Sequence, residues 1–408
     1  MRAADTSMRT SRKRVTGRMA FSVALGLFGA LSVCGSVAFA QRYMFGRADF
    51  TTGAGPQSVA LGDFNGDGKQ DLAVVNQTDG TVSILLGKPD ATFSSKVDVA
   101  VGASPVHVVT ADFNGDGRLD LAVVNNGSNS VSILLGNGDG TFHASAEYGA
   151  GAAPVWASTG DFNGDGKLDL AVASSADNTV SVLLGNGDGT FRARTDFPVG
   201  AQPSSVGASD FNGDGQLDLA VANSNCASAP CGPGSVSILL GKGDGAFQNH
   251  VDYATGAGPQ ALTAGDFNGD GKPDLVVANS IDFTLSISLG KGDGTFQARR
   301  DYAAGGGAAW VIAADFNHDG KLDAAVSNET DDTVSILLGD GDGTFQARAD
   351  AVAGNAPRGF AAADFNGDGT LDLAVANSQS NTVSVLLGAG GGTLEYLKEY
   401  PLDRKSVV

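Results

Sequence analysis

Basic residues are scarce in this chain. Lys and Arg number 26 against 45 Asp and Glu, for a net charge of −19. So acidic a balance argues against nucleic acid and anionic membranes as partners. Histidine is scarcer still: His107, His143, His250 and His318 are all there are. They fall in four different stretches, and neither a nucleophile elbow nor a zinc-protease motif accompanies them. The enzyme class therefore has little to stand on. Cysteine occurs three times, at Cys34, Cys226 and Cys231, and tryptophan twice, at Trp156 and Trp310. Helical periodicity is absent beyond residue 40, which leaves an all-β chain.

What the chain has in quantity is one loop. Asp-Phe-Asn-Gly-Asp-Gly-x-x-Asp begins at Asp63, Asp112, Asp161, Asp210, Asp266, Asp315 and Asp364, with His318 replacing the first glycine in the sixth copy. The steps are 49, 49, 49, 56, 49 and 49 residues. A fixed period of this length marks one supersecondary unit built seven times. The third copy reads as four short β-rich runs, Pro154–Gly160, Leu170–Ala173, Thr179–Leu184 and Thr190–Phe197, separated by Gly/Asn/Asp turns. That is an antiparallel meander. Seven four-stranded units point to a seven-bladed β-propeller over residues 41–408. Phe45–Phe50 resembles a spare fourth strand that would close the ring, and Thr393–Tyr400 competes for the same place.

Within each loop, positions 1, 3, 5 and 9 offer side-chain oxygens and position 7 its backbone carbonyl. The expected ion ligands are Asp63, Asn65, Asp67, Lys69 and Asp71 in the first copy, and Asp112, Asn114, Asp116, Arg118 and Asp120 in the second. The third and fourth copies supply Asp161, Asn163, Asp165, Lys167 and Asp169, then Asp210, Asn212, Asp214, Gln216 and Asp218. The last three supply Asp266, Asn268, Asp270, Lys272 and Asp274; Asp315, Asn317, Asp319, Lys321 and Asp323; and Asp364, Asn366, Asp368, Thr370 and Asp372. Oxygen-only ligands at alternate positions suit Ca²⁺, up to seven ions, one per blade. Without His or Cys in the set, zinc and copper are poor candidates. The start is that of an EF-hand, but position 12 is valine in every copy and a strand follows instead of a helix. Three carboxylates crowded into nine residues repel unless a cation intervenes.

Asp-Phe-Asn-Gly-Asp-Gly-x-x-Asp-Leu-Ala-Val, followed by Ser-x-Leu-Leu-Gly-Asn-Gly-Asp-Gly-Thr-Phe, resembles the FG-GAP/VCBS repeats, which are similar to the propeller of integrin α subunits. The resemblance covers essentially everything after residue 40. It implies calcium loops between the first and second strands of each blade. Integrins carry such loops in some blades only, whereas here all seven are complete, which implies a structural role. The family holds adhesion and surface proteins as well as propellers attached to enzymes, so it names no single activity.

Residues 1–40 have the layout of a secretory signal: a basic start, then an uncharged run from Met19 to Ala40 ending in Ala38-Phe39-Ala40. A retained anchor is the alternative reading. Export makes a Cys226–Cys231 disulfide the expectation, in the one repeat that is seven residues longer than the rest. Specificity must come from where the repeats differ. Two residues past each inner-strand proline, or past Ala308 in the sixth copy, the chain reads Ser58, His107, Trp156, Ser205, Ala261, Trp310 and Gly359. Trp156 and Trp310 would either grip a ligand at the channel mouth or plug the channel. His107 and Arg358 join them as candidate ligand-binding residues. The expected protein is a secreted or periplasmic, monomeric, calcium-stabilised propeller that binds an extracellular protein or glycan. A carbohydrate-active lyase or hydrolase on the same scaffold, or a purely structural module, is the alternative.

Overall fold

Each second strand is the kind of segment that fixes a blade in place. Asp169–Ser174, with sequence Asp-Leu-Ala-Val-Ala-Ser, is buried at all six positions, and so are its six counterparts. A strand that is apolar on both sides requires cover on both sides. The neighbouring blades supply it. In the computed structural model, which describes residues 48–226 and 231–396, seven antiparallel sheets form a closed ring. The third blade runs Pro154–Gly160, Asp169–Ser174, Thr179–Leu183 and Thr195–Pro198 from the axis outward. Inner strands contact those of adjacent blades all the way round, including the first against the seventh.

The fourth strand begins at Thr195, later than the Thr190 expected from the sequence. Phe191 explains the delay. Its segment leaves the ladder through a single bridge between Gly185 and Phe191, and the ring drops between blades. There it meets Phe113 of the preceding loop edge-on at 5.6 Å and Tyr148 at 5.4 Å. Five further junctions repeat the Phe–Phe contact, among them Phe93 with Phe365 where the ring closes. At the junction of the sixth and seventh blades Leu394 stands where the other blades have this phenylalanine, and Phe316 and Leu394 belong to one apolar cluster. An aromatic pair of this geometry adds about 0.5–1.5 kcal/mol beyond the burial of its area.

Both candidate strands close the ring, on one edge. Ala48–Thr51 pairs with Thr382–Val385. Leu394–Tyr396 pairs with Leu386–Gly388 on the same third strand of the seventh blade. The chain ends thereby complete one sheet, with no exposed edge left along that strand. Cys226 and Cys231 are joined in a disulfide with Cα atoms 4.8 Å apart. The expected signal segment 1–40 lies outside the described residues. Among those described, no helix is long and apolar enough to cross a membrane.

Candidate functional site

The loops and the axis are set by different local rules. In the third loop the Asp161 carboxylate accepts backbone N–H groups from Gly164, Asp165 and Gly166 at 2.7–3.1 Å. Asn163 Oδ1 accepts from Asp165 N–H, and Asp165 Oδ1 from Lys167 N–H. These Asx bonds curl the chain, and the two glycines take φ of 72° and 78° to allow it. His318 adopts φ 59° at the equivalent place in the sixth loop, a left-handed conformation that histidine tolerates better than bulkier or branched residues. Its loop keeps the bonds from Asp319 and Gly320 to Asp315.

Position 9 behaves differently. Asp169 is fully buried, and its two oxygens accept from Phe162 N–H at 2.9 Å and Gly185 N–H at 2.8 Å. Each counterpart repeats this clamp between the loop and the turn that follows the third strand. Burial pushes these carboxyls above their ordinary value, opposed by the two N–H donors and helped by repulsion from the aspartates at positions 5 and 1. Asp274 and Asp372 are pushed up to about 6. Among the described residues no three acidic, His or Cys side chains converge as a ready-made cage.

The donors nevertheless fit a hard cation in kind. All are oxygens; positions 1 and 3 are half-buried and position 5 is exposed. Space is open around the second glycine, where an added Cβ at Gly68, Gly117, Gly166 or Gly215 would meet nothing within 4 Å. The Oδ2 atom of position 5 also draws positive groups. Lys69, Lys167, Lys272 and Lys321 reach it in four loops. The amides of Asn114, Asn212 and Asn366 do so in the three loops that lack this lysine.

On the opposite face a repeated irregularity builds a cup. In the first six blades the inner-strand register shifts between the strand's first residue, a proline or in the sixth blade Ala308, and the residue two places on. In the seventh the shift extends from Pro357 to Phe360. A bulge of this kind re-aims a side chain. Here the second residue of each inner strand is turned to the mouth of the channel: Gln57, Val106, Val155, Ser204, Gln260, Ala309 and Arg358 all line a cavity of about 520 Å³. Sequence reading found only Arg358 of these. The signal available was that this position, too, varies from copy to copy.

Trp156 and Trp310 form the cup's floor. They start three blades apart and meet at the axis, with ring centroids 4.1 Å apart. His107 stacks on Trp156 at 4.2 Å and lies 5.4 Å from Trp310. The three rings plug the channel. Small residues make room for them. A Cβ at Gly359 would lie 2.7 Å from the Ser58 backbone and 3.2 Å from Trp310. His107 does not reach the cup: it is 4% exposed and borders the separate, mostly apolar space of about 610 Å³ on the loop side. Its Nδ1 accepts Ala157 N–H at 3.4 Å, and burial pushes its pKa down to about 3, so the ring is neutral. Arg358 lines the cup with its charge spent on Glu329, Nη2 to Oε1 at 2.6 Å.

The FG-GAP-like repeat profile matches residues 63–123, 112–172, 161–221, 225–277, 266–326 and 315–375. No curated protein matches the chain significantly. Among solved structures, BBS1N in its complex with ARL6DN is similar at TM-score 0.59 and 12% identity, over 85% of this chain and 96% of that one. A protein from Lactobacillus plantarum is similar at 0.57 and 17%, over 74% and 86%. An inactivated virginiamycin B lyase from Staphylococcus aureus is similar at 0.55 and 10%, over 84% and 98%. Identities this low speak for the shared fold alone. With six matches spread over most of its length, the chain belongs to the FG-GAP-like repeat family.

Proposed function

We propose that this protein is a secreted, calcium-stabilised propeller that binds an extracellular protein or glycan in the cup opposite its ion loops. One observation carries the binding part. The bulges aim seven side chains of five kinds into a cavity of about 520 Å³ above a sealed aromatic floor, within the about 300–1,000 Å³ usual for ligand sites. A channel that needed only to be filled would require no such rim.

The loops supply the stabilising part. Positions 1, 3 and 5, the position 7 carbonyl and the remaining lone pairs of the position 9 carboxylate would hold Ca²⁺ in each blade. The ion would neutralise carboxylates that now lean on lysines and amides. The same loops touch the next blade: Gly189 N–H donates to Phe113 C=O at 3.1 Å, and four other junctions repeat the bond. Ordering a loop therefore orders a blade interface.

Probing an array of extracellular proteins and glycans tests the binding reading. Wild type is expected to retain at least one ligand, and a variant with Gln57→Ala and Gln260→Ala on the cup rim to lose it. An array on which nothing is retained, or on which the rim variant binds as wild type does, contradicts it.

A further inference from the structure

The geometry points to a neutral saccharide as the cup's ligand, one pyranose resting on the Trp156–Trp310 floor with its hydroxyls against an amide wall. This rests on the reading of the cup as a binding site and narrows it to one chemical class.

The floor comes first. Because the two indoles and His107 pack ring against ring, they seal the cup from the loop-side space. A ligand meets the partly exposed indoles, whose planes are tilted by 35° to one another, and an aliphatic or aromatic side chain finds no depth to enter. A sugar ring presents a C–H face to an indole, which combines an apolar body with a polar edge.

The wall comes next. Gln77 and Gln260 line the cup with no hydrogen bond from their side chains to any other part of the described protein. Gln202 only receives a long bond of 3.4 Å from Ser224. A primary amide both donates and accepts, as does each sugar hydroxyl, so the two satisfy one another in pairs.

Charge decides between sugars. Among the described residues Arg358 is the one charged side chain lining the cup, and its Nη2 is paired with Glu329. The chain as a whole carries −19, a field that repels polyanions. A charged peptide group would be desolvated in the cup without a free counter-charge. A neutral hexose suffers neither cost.

The experiment uses the fact that the only two tryptophans of the chain both lie in the cup, so intrinsic fluorescence reports on it alone. The full chain in calcium is titrated with glucose, galactose, mannose, N-acetylglucosamine and their disaccharides, beside sialic acid and a set of neutral and charged tripeptides. At least one neutral sugar is expected to shift the emission and shield it from acrylamide. Gln77→Ala and Gln260→Ala are each expected to weaken that effect about 3–10-fold, the weight of one or two hydrogen bonds, at unchanged Tm. Tripeptides or sialic acid shielding the indoles while neutral sugars do not would overturn the saccharide and keep the cup as a site. A sugar that binds by calorimetry without moving the emission would overturn the cup and keep the protein as a binding module. Silence in every arm, by both methods, would overturn the saccharide; silence on the protein and glycan array as well would remove the binding module with it.

Discussion

On the loop face the seven blades are near copies, down to the hydrogen bonds of each position 1 and position 9 aspartate. On the axis and the cup face the same fold carries five kinds of residue at one position, from Gly359 to Trp310. Identity in the first case means that every copy meets the same demand, to close a loop and hold the next blade. Difference in the second means that the seven side chains share one space and divide it among themselves. Two indoles fit because Ser58, Ser205, Ala261 and Gly359 are small. The comparison locates stability in the repeated face and selectivity in the divergent one.

The largest way to break this contrast is at position 9. Asp169→Ala leaves two buried N–H donors, of Phe162 and Gly185, unpaired, at roughly 1–3 kcal/mol each. Ser58→Ala on the axis removes a buried hydroxyl that has no partner and is expected to shift stability by less than about 0.5 kcal/mol. Urea unfolding of the two variants measures the ratio. Next in size is Trp310→Ala, expected near the low end of the about 3–5 kcal/mol for loss of a large aromatic, since the indole is only partly buried. It also joins the cup to the loop-side cavity.

A smaller effect is expected from pH. His107 is neutral in the folded ring and ordinary when unfolded, so its contribution is whole above about pH 6.5 and is lost as the pH falls toward about 3. The stability of wild type relative to His107→Phe should decline across that window, and a flat difference would show that the plug tolerates the charged ring. A small effect is also expected at Arg358→Gln. It opens a half-exposed ion pair with Glu329 and should cost less than about 1 kcal/mol.

Blade number and loop position were legible because a 49-residue step recurs and each loop brings its own turn chemistry. The ring closure was half legible. Phe45–Phe50 and Thr393–Tyr400 read as rivals, and the structure places Ala48–Thr51 and Leu394–Tyr396 end to end along one strand. The cup rim was not legible, because Gln57 and Gln260 face the mouth only through a bulge, and a bulge depends on the ladder register of two strands. The double duty of Asp169 was hidden for a related reason. Its second donor, Gly185, lies 16 residues on, across the sheet. Trp156 and Trp310 could be placed in facing blades from the period alone, but whether they meet depends on the width of the ring.

The claim that the repeated face is a set of ion sites holding the ring together is tested most directly by calorimetry of the full chain in calcium and in EDTA. A site at a hundredfold excess of ion over Kd adds about 2.7 kcal/mol. Several such sites on one cooperative ring are expected to raise Tm in calcium by about 10–20 °C over EDTA. An identical Tm in both would contradict it.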